Sequence, residues 1–510
     1  MINITLSAKS IKKAPCIAVF GTGSDVGKSI VTTALCRIFA NRRVRVAPYK
    51  AQNMSNNSGV TPEGLEMGRA QIVQAEAARI APHVDMNPIL LKPTSEIGSQ
   101  VVLLGKAVEN STASDYHNKK ERLFATAGAA LDRLRSEYDL VVMEGAGSCA
   151  EVNLMPHDIV NFRMAEYADA PVILVADIHR GGVFAQIVGT LNCLEKTYQN
   201  RIKGFIINRF RGDISLFEDG IQWIGQKTRK NVFGVMPWYN HIRIDPEDSV
   251  VIENPKKVFT ENSDIPAVAV IRIPHISNFT DFDPLCALDG LDLFFLEQVQ
   301  SLTPFKAVIL PGSKNTCFDL QWIKSTGWLE KITDYVVNGG HVLGICGGYQ
   351  MMGNYVHDPE GLEGKPGTIP GLDLLPVETI LKSPKTTTLT RFFRDNVHGT
   401  GYEIHMGQTK RHGGDPLFSV VERNSIAAED TDGCVSPDNK IMGTYIHGLF
   451  ENPAVARLWL NTIGLPDIET STLEGVEAKD RQYDLLAEYF ESHIDVKKIV
   501  ATVQGSGFRG

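Results

Sequence analysis

The 510-residue sequence has none of the long apolar runs, about 20 residues each, that helices need to cross a bilayer. Its eight cysteines are scattered and include no C-x-x-C pair, which argues against a disulfide framework and against a structural zinc site. The N-terminal residues also lack the apolar segment and small-residue cleavage site of a signal peptide. We therefore expect a cytoplasmic protein with no membrane partner.

An excess of positive charge is absent as well. The chain has 51 lysines and arginines against 59 aspartates and glutamates, which gives a net charge of −8. A chain of this balance has no general attraction for nucleic acid or for anionic lipid. We therefore expect no nucleic-acid partner, whereas the composition leaves a homo-oligomer open.

Length and patterning indicate two α/β domains. A single hydrophobic core stops growing at roughly 250–300 residues, so a chain of this length needs more than one. The polar segment 252–266 contains two prolines and predicts a linker between domains at 1–251 and 267–510. The charged helical pattern after about residue 465 predicts a closing helix packed on the second domain.

Short apolar, β-branched runs alternate with helical patterns in both halves, as in parallel sheets with helices on both faces. We therefore expect two doubly wound domains. The strand predictions are residues 16–20, 44–50, 140–147, 171–177, 204–210 and 232–237 in the first half, and 267–274, 291–297, 305–312 and 341–348 in the second.

A phosphate-binding loop follows the first predicted strand. Residues 21–29 read GTGSDVGKS and precede a helical pattern, and glycines such as Gly23 and Gly27 let the backbone point N–H groups at phosphate oxygens. Lys28 supplies charge for the outer phosphates, and the Ser29 hydroxyl is placed to ligate Mg²⁺. The sequence therefore predicts an ATP site, with a glycine-rich turn that binds no ligand as the alternative.

Two charged residues end neighbouring predicted strands. Glu144 closes LVVME, where a second contact to Mg²⁺ belongs in such folds, and an acid that only caps the next loop is the alternative. Lys50 closes VRVAPYK and is suited to steady a phosphate or a substrate carboxylate. A solvated lysine at a strand end is the alternative for Lys50.

Cys346 lies in a turn framed by glycines. The segment HVLGICGGYQMMG (341–353) places it between an apolar strand and a helix start. Such a strand–turn–helix elbow exposes a nucleophile, the helix N-terminus favours a thiolate, and the next N–H, that of Gly347, faces an oxyanion. A buried core cysteine is the alternative, and it is our interpretation of most of the other cysteines.

A thiolate nucleophile needs a base, and His447 ends the predicted strand in KIMGTYIHGLF (440–450). Together with Cys346 it makes residues 267–465 resemble the class I glutamine amidotransferases. The resemblance implies that the cysteine forms a glutamyl thioester while the histidine shuttles the proton. It also implies a flavodoxin-like fold for this domain.

The chain departs from this family at Leu449, where many members have a glutamate two positions after the histidine. The third member of the triad is therefore missing or comes from elsewhere, as in the branch of the family that amidates cobyrinic acids. The segment VILPGSKNT (308–316) resembles the one that completes the oxyanion hole, near Gly312. An ordinary strand-to-helix turn is the alternative.

The phosphate loop has Thr22 in place of the usual first glycine and resembles that of dethiobiotin synthetase and its relatives. Joined to the amidotransferase, it resembles the cobyrinic acid amidases, and several segments resemble cobyric acid synthases in particular, over about residues 15–490. These segments are YKAQNMSNNS (49–58), EMGRAQ (66–71), NPILLKP (87–93), DIHRGGVF (177–184) and NRFRGD (208–213).

The resemblance implies an enzyme of cobalamin biosynthesis that uses ATP, Mg²⁺ and glutamine. Its corrinoid substrate would be adenosylcobyrinic acid a,c-diamide, amidated at the b, d, e and g carboxylates. By the same resemblance Asn208 contacts the adenine, with a polar residue at a strand end as the alternative.

The rival functions are a cobyrinic acid a,c-diamide synthase or related amidoligase and, from another class, a P-loop regulatory or partitioning ATPase. Cys346 and His447 argue against the latter.

The residues Asp177, His179 and Gly182 spell D-x-H-x-x-G, a cobalamin-binding pattern in which the histidine ligates cobalt. We set this interpretation aside, because short motifs match by chance and the family does not coordinate cobalt in that way. The family usually has an acidic residue at the position of His179.

Overall fold

The computed structural model describes residues 13–93, 98–112, 120–245, 264–470 and 475–504. We call residues 13–245 the first domain and residues 264–470 the second. Each is built on a mainly parallel sheet that is covered by helices. Most of the expected linker, residues 252–263, lies outside the described residues, so the bounds of the domains remain a prediction.

The first domain alternates strands and helices as the sequence predicts. Its strands are β1 (Cys16–Gly21), β2 (Val46–Tyr49), β3 (Gln52–Met54), β4 (Ser58–Val60), β5 (Glu66–Gly68), β6 (Ile89–Pro93), β7 (Gly98–Leu103), β8 (Lys106–Thr112), β9 (Leu140–Glu144), β10 (Val172–Asp177), β11 (Ile202–Phe210) and β12 (Asn231–Pro237). Its helices are α1 (Lys28–Asn41), α2 (Arg69–Ala77), α3 (Lys120–Glu137), α4 (Phe162–Ala168), α5 (Val183–Cys193), α6 (Lys196–Arg201) and α7 (Glu218–Thr228).

The main sheet of the first domain has the order β12-β11-β10-β1-β9-β2, and all of its pairs are parallel. Side chains alternate along β1. Cys16, Ala18 and Phe20 pack into one helical layer, whereas Ile17 and Val19 pack into the other. Burial on both faces explains why the strand is a continuous apolar run.

The second domain adds antiparallel strands to the same plan. Its strands are β13 (Ala267–Ile271), β14 (Ile276–Ser277), β15 (Asp292–Leu296), β16 (Ala307–Leu310), β17 (Gly312–Ser313), β18 (His341–Ile345), β19 (Tyr355–Asp358), β20 (Gly367–Pro370), β21 (Val377–Ile380), β22 (Thr386–Arg394), β23 (Val397–His405), β24 (Gln408–Arg411), β25 (Phe418–Arg423), β26 (Ile426–Asp432), β27 (Cys434–Val435) and β28 (Ile441–Thr444). The helices from here to the end of the described chain are α8 (Asp283–Cys286), α9 (Thr316–Thr326), α10 (Trp328–Val337), α11 (Gly347–Met351), α12 (Pro453–Thr462), α13 (Gly475–His493) and α14 (Val496–Gln504).

The main sheet of the second domain has the order β15-β13-β16-β18-β28-β27 and is parallel except for the β27–β28 pair at its edge. Two further sheets accompany it: an antiparallel one in the order β23-β22-β25-β26 and a mixed one in the order β20-β19-β21-β24, in which β19 and β21 are parallel. The predicted α/β class with two doubly wound domains is confirmed. Within the described ranges, no helix has the length and apolar character needed to cross a membrane.

The expected position of the closing helix is wrong. Helices α13 and α14 return to the first domain, where Leu486 and Phe490 join the core layer that contains α1. Arg37 of α1 is fully buried, and its Nε donates to Asp484 Oδ1 of α13 at 2.8 Å. The physical reason is complementarity, because the outer face of α1 is apolar around a buried cation that needs an acidic partner.

This docking makes the first domain depend on the last helices of the chain. Phe490→Ala is expected to lower the free energy of unfolding by about 3 kcal/mol or more, since it leaves a cavity against α1. Urea unfolding measures the effect, with Glu488→Ala on the exposed face of the same helix as the control. Equal stability of the two variants would contradict the docking.

A buried ion cluster joins the two domains. Glu66 of the first domain lies 2.7 Å from Lys385 Nζ of the second through Oε2 and 2.7 Å from Lys92 Nζ of its own domain through Oε1. Burial alone would raise the pKa of Glu66, but the two ammonium groups outweigh it and hold this pKa well below its usual range. Lys314 Nζ adds a 3.0 Å hydrogen bond to Gln100 Oε1 across the same seam.

Candidate active sites

The phosphate loop connects β1 to α1, as the sequence predicts. Gly27 precedes α1 with a φ of 99°, in the left-handed region. A Cβ atom at this position would lie 2.0 Å from the Nδ2 atom of Asn208. Both the backbone conformation and the available space therefore require glycine here.

Lys28, the first residue of α1, reaches back across the loop. Its Nζ donates to the carbonyl oxygens of Gly23 at 2.9 Å and Gly147 at 3.0 Å. The second of these carbonyls belongs to the segment that follows β9. The ammonium group therefore lies between the phosphate loop and the end of the neighbouring strand.

Glu144 at the end of β9 is a centre of polar contacts. Its Oε1 accepts hydrogen bonds from Ser29 Oγ at 3.0 Å and from Lys50 Nζ at 2.9 Å, and its Oε2 accepts one from Gln74 Nε2. Lys50 is only 4% exposed, so the alternative of a solvated lysine is wrong. Hydroxyl and carboxylate oxygens side by side are the ligands that Mg²⁺ prefers, so this pair fits the ion.

Asn208 at the end of β11 supports the phosphate loop. Its Nδ2 donates to the carbonyl oxygen of Val26 at 3.0 Å. The next residue, Arg209, forms ion pairs with Asp25 of the loop at 2.9 Å and with Asp177 at 3.0 Å. The structure thus brings Asn208 to the loop itself, while its contact with an adenine remains a prediction.

His179 lies on the surface beside the same strand ends. Its backbone N–H donates to Asp177 Oδ1 at 2.6 Å, and its ring lies 5.1 Å from that of Trp238. Both residues of the D-x-H pattern, Asp177 and His179, thus make contacts within the chain.

Cys346 lies in the predicted elbow between β18 and α11. Its φ of 51° and ψ of −108° are a strained conformation for a residue with a side chain. Its N–H donates to the carbonyl oxygen of Thr444 at 2.8 Å, and its Sγ donates to that of Ile404 at 3.6 Å. A Cβ atom at Gly348 would lie 2.0 Å from the Leu310 carbonyl oxygen, so the close packing of this turn against Leu310 requires glycine.

His447 follows β28 and is fully buried. Its Nδ1 lies 2.6 Å from Oδ2 of Asp281, and the N–H of Gly448 donates to the Oδ1 of the same carboxylate at 2.9 Å. The ring of Tyr402 stacks on the imidazole with a centroid distance of 5.3 Å and an angle of 19°. These contacts fix the orientation of the imidazole.

The charges around His447 favour its protonated form. Burial lowers the pKa of His447, but the charges of Asp281 and Cys346 outweigh burial and raise it to about 10. In the described part of the chain its Nε2 has no hydrogen-bond partner, and the thiol of Cys346 is directed at Ile404 instead. Cys346 nevertheless raises the pKa of His447 through hydrogen bonding as well as charge, so the thiol lies within reach of the imidazole, in a loose arrangement common in sites without substrate.

The two residues predicted for the oxyanion hole lie close together. A Cβ atom at Gly347 would lie 2.7 Å from the N atom of Ser313, the neighbour of Gly312. A Cβ atom at Gly312 would lie 3.2 Å from Cε1 of His447. The structure therefore brings the two glycines together and places Gly312 beside the histidine, while their role remains a prediction.

No sequence pattern pointed to Asp281. Leu449, at the position where many members of the family have a glutamate, is buried in the apolar core of the second domain. The carboxylate beside His447 comes instead from a position 166 residues earlier in the chain. No local spacing connects the two residues, so only the fold reveals the contact.

Family models cover both domains. A CobB/CobQ-like glutamine amidotransferase domain matches residues 267–455, and a CobQ/CobB/MinD/ParA nucleotide-binding domain matches residues 17–250. The first domain is therefore a nucleotide-binding domain and the second is a glutamine amidotransferase domain.

Curated relatives match the chain over nearly its whole length. Cobyric acid synthase of Chlorobium phaeobacteroides (strain BS1) is 51% identical over 95% of this chain and 98% of its own. Those of Chlorobaculum tepidum and Salmonella heidelberg are 49% and 46% identical, over 97% and 95% of this chain and 99% and 97% of their own. The resemblance inferred from the motifs is thus confirmed. The chain belongs to the cobyric acid synthase family of glutamine-dependent amidoligases.

Proposed function

We propose that the chain amidates the b, d, e and g carboxylates of adenosylcobyrinic acid a,c-diamide to give adenosylcobyric acid, with ATP and glutamine as co-substrates. The observation that carries the proposal is the presence of two centres in one chain. The second domain holds a cysteine elbow beside a buried histidine, and the first holds a phosphate loop beside Glu144. The name shared by the relatives supports the corrinoid substrate.

In the second domain the proposed nucleophile is the thiolate of Cys346, which attacks the side-chain amide carbon of glutamine. The N–H groups of Gly312 and Gly347 accommodate the oxyanion, and His447 gives the proton on Nε2 to the leaving nitrogen. Ammonia departs and a glutamyl thioester remains. His447 then accepts a proton from the water that hydrolyses the thioester to glutamate.

In the first domain a carboxylate oxygen of the corrinoid attacks the γ-phosphorus of ATP. The bond to the bridging oxygen breaks, ADP leaves, and an acyl phosphate forms. Ammonia then attacks its carbonyl carbon and releases phosphate, which leaves the amide. Lys28 stabilises charge on the transferred phosphoryl group.

Ser29 and Glu144 are the residues that would hold Mg²⁺, and their oxygens lie 3.0 Å apart. The ion, when bound, neutralises charge on the phosphates. Lys50 and Gln74 fix the carboxylate of Glu144 from the other side. We also propose a cytoplasmic location, in keeping with eight cysteines that are all free.

Mass spectrometry of the corrinoid product tests the proposed function. With the a,c-diamide, ATP and excess glutamine, we expect a product that carries four additional amides. Two amides formed on cobyrinic acid itself would indicate the a,c-diamide synthase instead. ATP hydrolysis without amidation of either corrinoid would indicate a regulatory ATPase.

A further inference from the structure

The turn that carries Asp281 is held by the first domain. Thr280 Oγ1 donates to Asn57 Oδ1 at 3.1 Å, and the backbone N–H of Ser58 donates to Asn278 Oδ1 at 3.0 Å. All four of these residues are buried. Two buried hydrogen bonds therefore cross the boundary between the domains. Their partners in the second domain, Thr280 and Asn278, lie one and three residues before Asp281.

The conformation of this turn makes such support useful. Asn278 has a φ of 50°, in the left-handed region, and begins the short 3-10 turn Phe279–Phe282. Asparagine tolerates this conformation better than most residues, but it still carries strain that neighbouring contacts must offset. The hydrogen bond from Ser58 is such a contact.

The same segment of the first domain also reaches the other side of His447. Val60, the last residue of β4, packs in a cluster with Tyr402 and Ile404. Tyr402 stacks on the imidazole of His447, and the carbonyl oxygen of Ile404 accepts from the thiol of Cys346. Residues 57–60 therefore contact the supports of both members of the proposed catalytic pair.

We propose that Asp281 is the positioning residue for His447, and that residues 57–60 of the first domain hold Asp281 and Tyr402 in place for it. The inference rests on the proposed glutaminase chemistry of Cys346 and His447. The glutaminase centre is then complete only when the two domains are docked.

The chemistry follows from the contacts. The N–H at Nδ1 of His447 donates a hydrogen bond to the carboxylate of Asp281, so the proton that moves during the reaction is the one on Nε2. The carboxylate of Asp281 stabilises the imidazolium. Asp281 therefore acts as the third residue of the triad, although it does not come from the segment that follows His447.

Other groups near His447 do not supply this charge. The ring of Tyr402 is uncharged in its stacked position, and burial raises its pKa well above the usual range. His405 is also close, but burial lowers its pKa and favours the neutral ring. Asp281 is therefore the acidic group in contact with the imidazole.

Asp281→Asn tests the first half of the proposal, because the amide keeps the shape of the side chain and removes its charge. We expect kcat for glutamine hydrolysis to fall by about 100-fold or more. The alkaline limb of the pH profile of kcat/KM should move to lower pH, since the imidazolium loses the neighbour that raises its pKa. An unchanged kcat and an unchanged alkaline limb would overturn the role of Asp281.

Thr280→Val and Thr280→Ser test the second half as a matched pair. Valine removes the hydroxyl at nearly constant shape, and we expect glutaminase kcat to fall roughly 10-fold, the loss of one buried hydrogen bond. Serine keeps the hydroxyl and should retain most of the activity. Asn57→Ala should lower kcat at least as much as Thr280→Val, and the double variant should be no worse than Asn57→Ala alone, because both substitutions remove the same hydrogen bond.

Amidation driven by added ammonium chloride is the control for each variant, and it should persist. Equal glutaminase activity in Thr280→Val and Thr280→Ser would overturn the interdomain support, and so would loss of ammonia-dependent amidation in Thr280→Val.

Cys346→Ala distinguishes failure of the proposed function from failure of this inference. Glutaminase activity that remains in Cys346→Ala would contradict the proposed function. Loss of activity in Cys346→Ala together with full activity in Asp281→Asn would contradict this inference alone.

Discussion

Replacing Cys346 by alanine is expected to abolish glutamine hydrolysis and glutamine-dependent amidation. The strained elbow holds this sulfur beside His447 and the two glycines proposed for the oxyanion hole, and alanine removes the only atom there that can form the thioester. Loss of a catalytic nucleophile lowers kcat by on the order of 10⁴-fold or more. Glutamate release from glutamine is the direct measurement, and ammonium-dependent amidation should remain.

The chain offers a matched control for this variant. Cys434 is buried, as Cys346 is, and its Sγ likewise donates to a carbonyl oxygen, that of Gly413, at 3.6 Å. Cys434→Ala removes a thiol of the same environment outside the elbow and should leave glutaminase intact. Glutamine-dependent amidation that survives in Cys346→Ala would exclude the assignment of the nucleophile.

Replacing Lys28 by methionine is expected to abolish amidation with either nitrogen source. Methionine keeps most of the length of the side chain but removes the ammonium group that bridges Gly23 and Gly147. Without that charge the phosphoryl transfer loses electrostatic stabilisation, and we expect a fall on the order of 10²–10³-fold in the rate of amide formation. Glutamate release should persist, because the thiol lies in the other domain.

Lys203→Met is the control for the lysine substitution. Lys203 lies in β11 of the same sheet but is exposed, and its Nζ donates to a backbone carbonyl oxygen, that of Asn200, at 2.9 Å. Its replacement should leave both activities near those of the unaltered chain. Normal ammonia-dependent amidation in Lys28→Met would show that the loop does not serve the transfer.

The parallel sheets and the two motifs were predictable because their signals are local. The runs at 16–20 and 140–147 are apolar over several residues, since both faces of those strands are buried. The glycines around Lys28 and Cys346 are required by atoms a few residues away or at the adjoining strand. Such constraints are visible in a short window of sequence.

The remaining features depend on contacts between distant segments. The strands β22 and β23 pair over nine residues but carry mixed polar and apolar side chains, so their pattern has no clear period. The carboxylate that contacts His447 comes from a segment 166 residues away. The amphipathic pattern of α13 predicts a helix with one apolar side. It does not indicate whether that side packs on the first domain or on the second.

The return of α13 to α1 has a consequence for dividing this protein into parts. A fragment that ends near residue 245 would leave Phe490's neighbours in α1 open to water and the guanidinium of Arg37 without Asp484. The fragment would lose both this apolar contact and the ion pair, and an ordinary domain is stable by only about 5–15 kcal/mol. The ATP-binding portion is therefore discontinuous in sequence, and the amidotransferase is in effect inserted between its body and its last two helices.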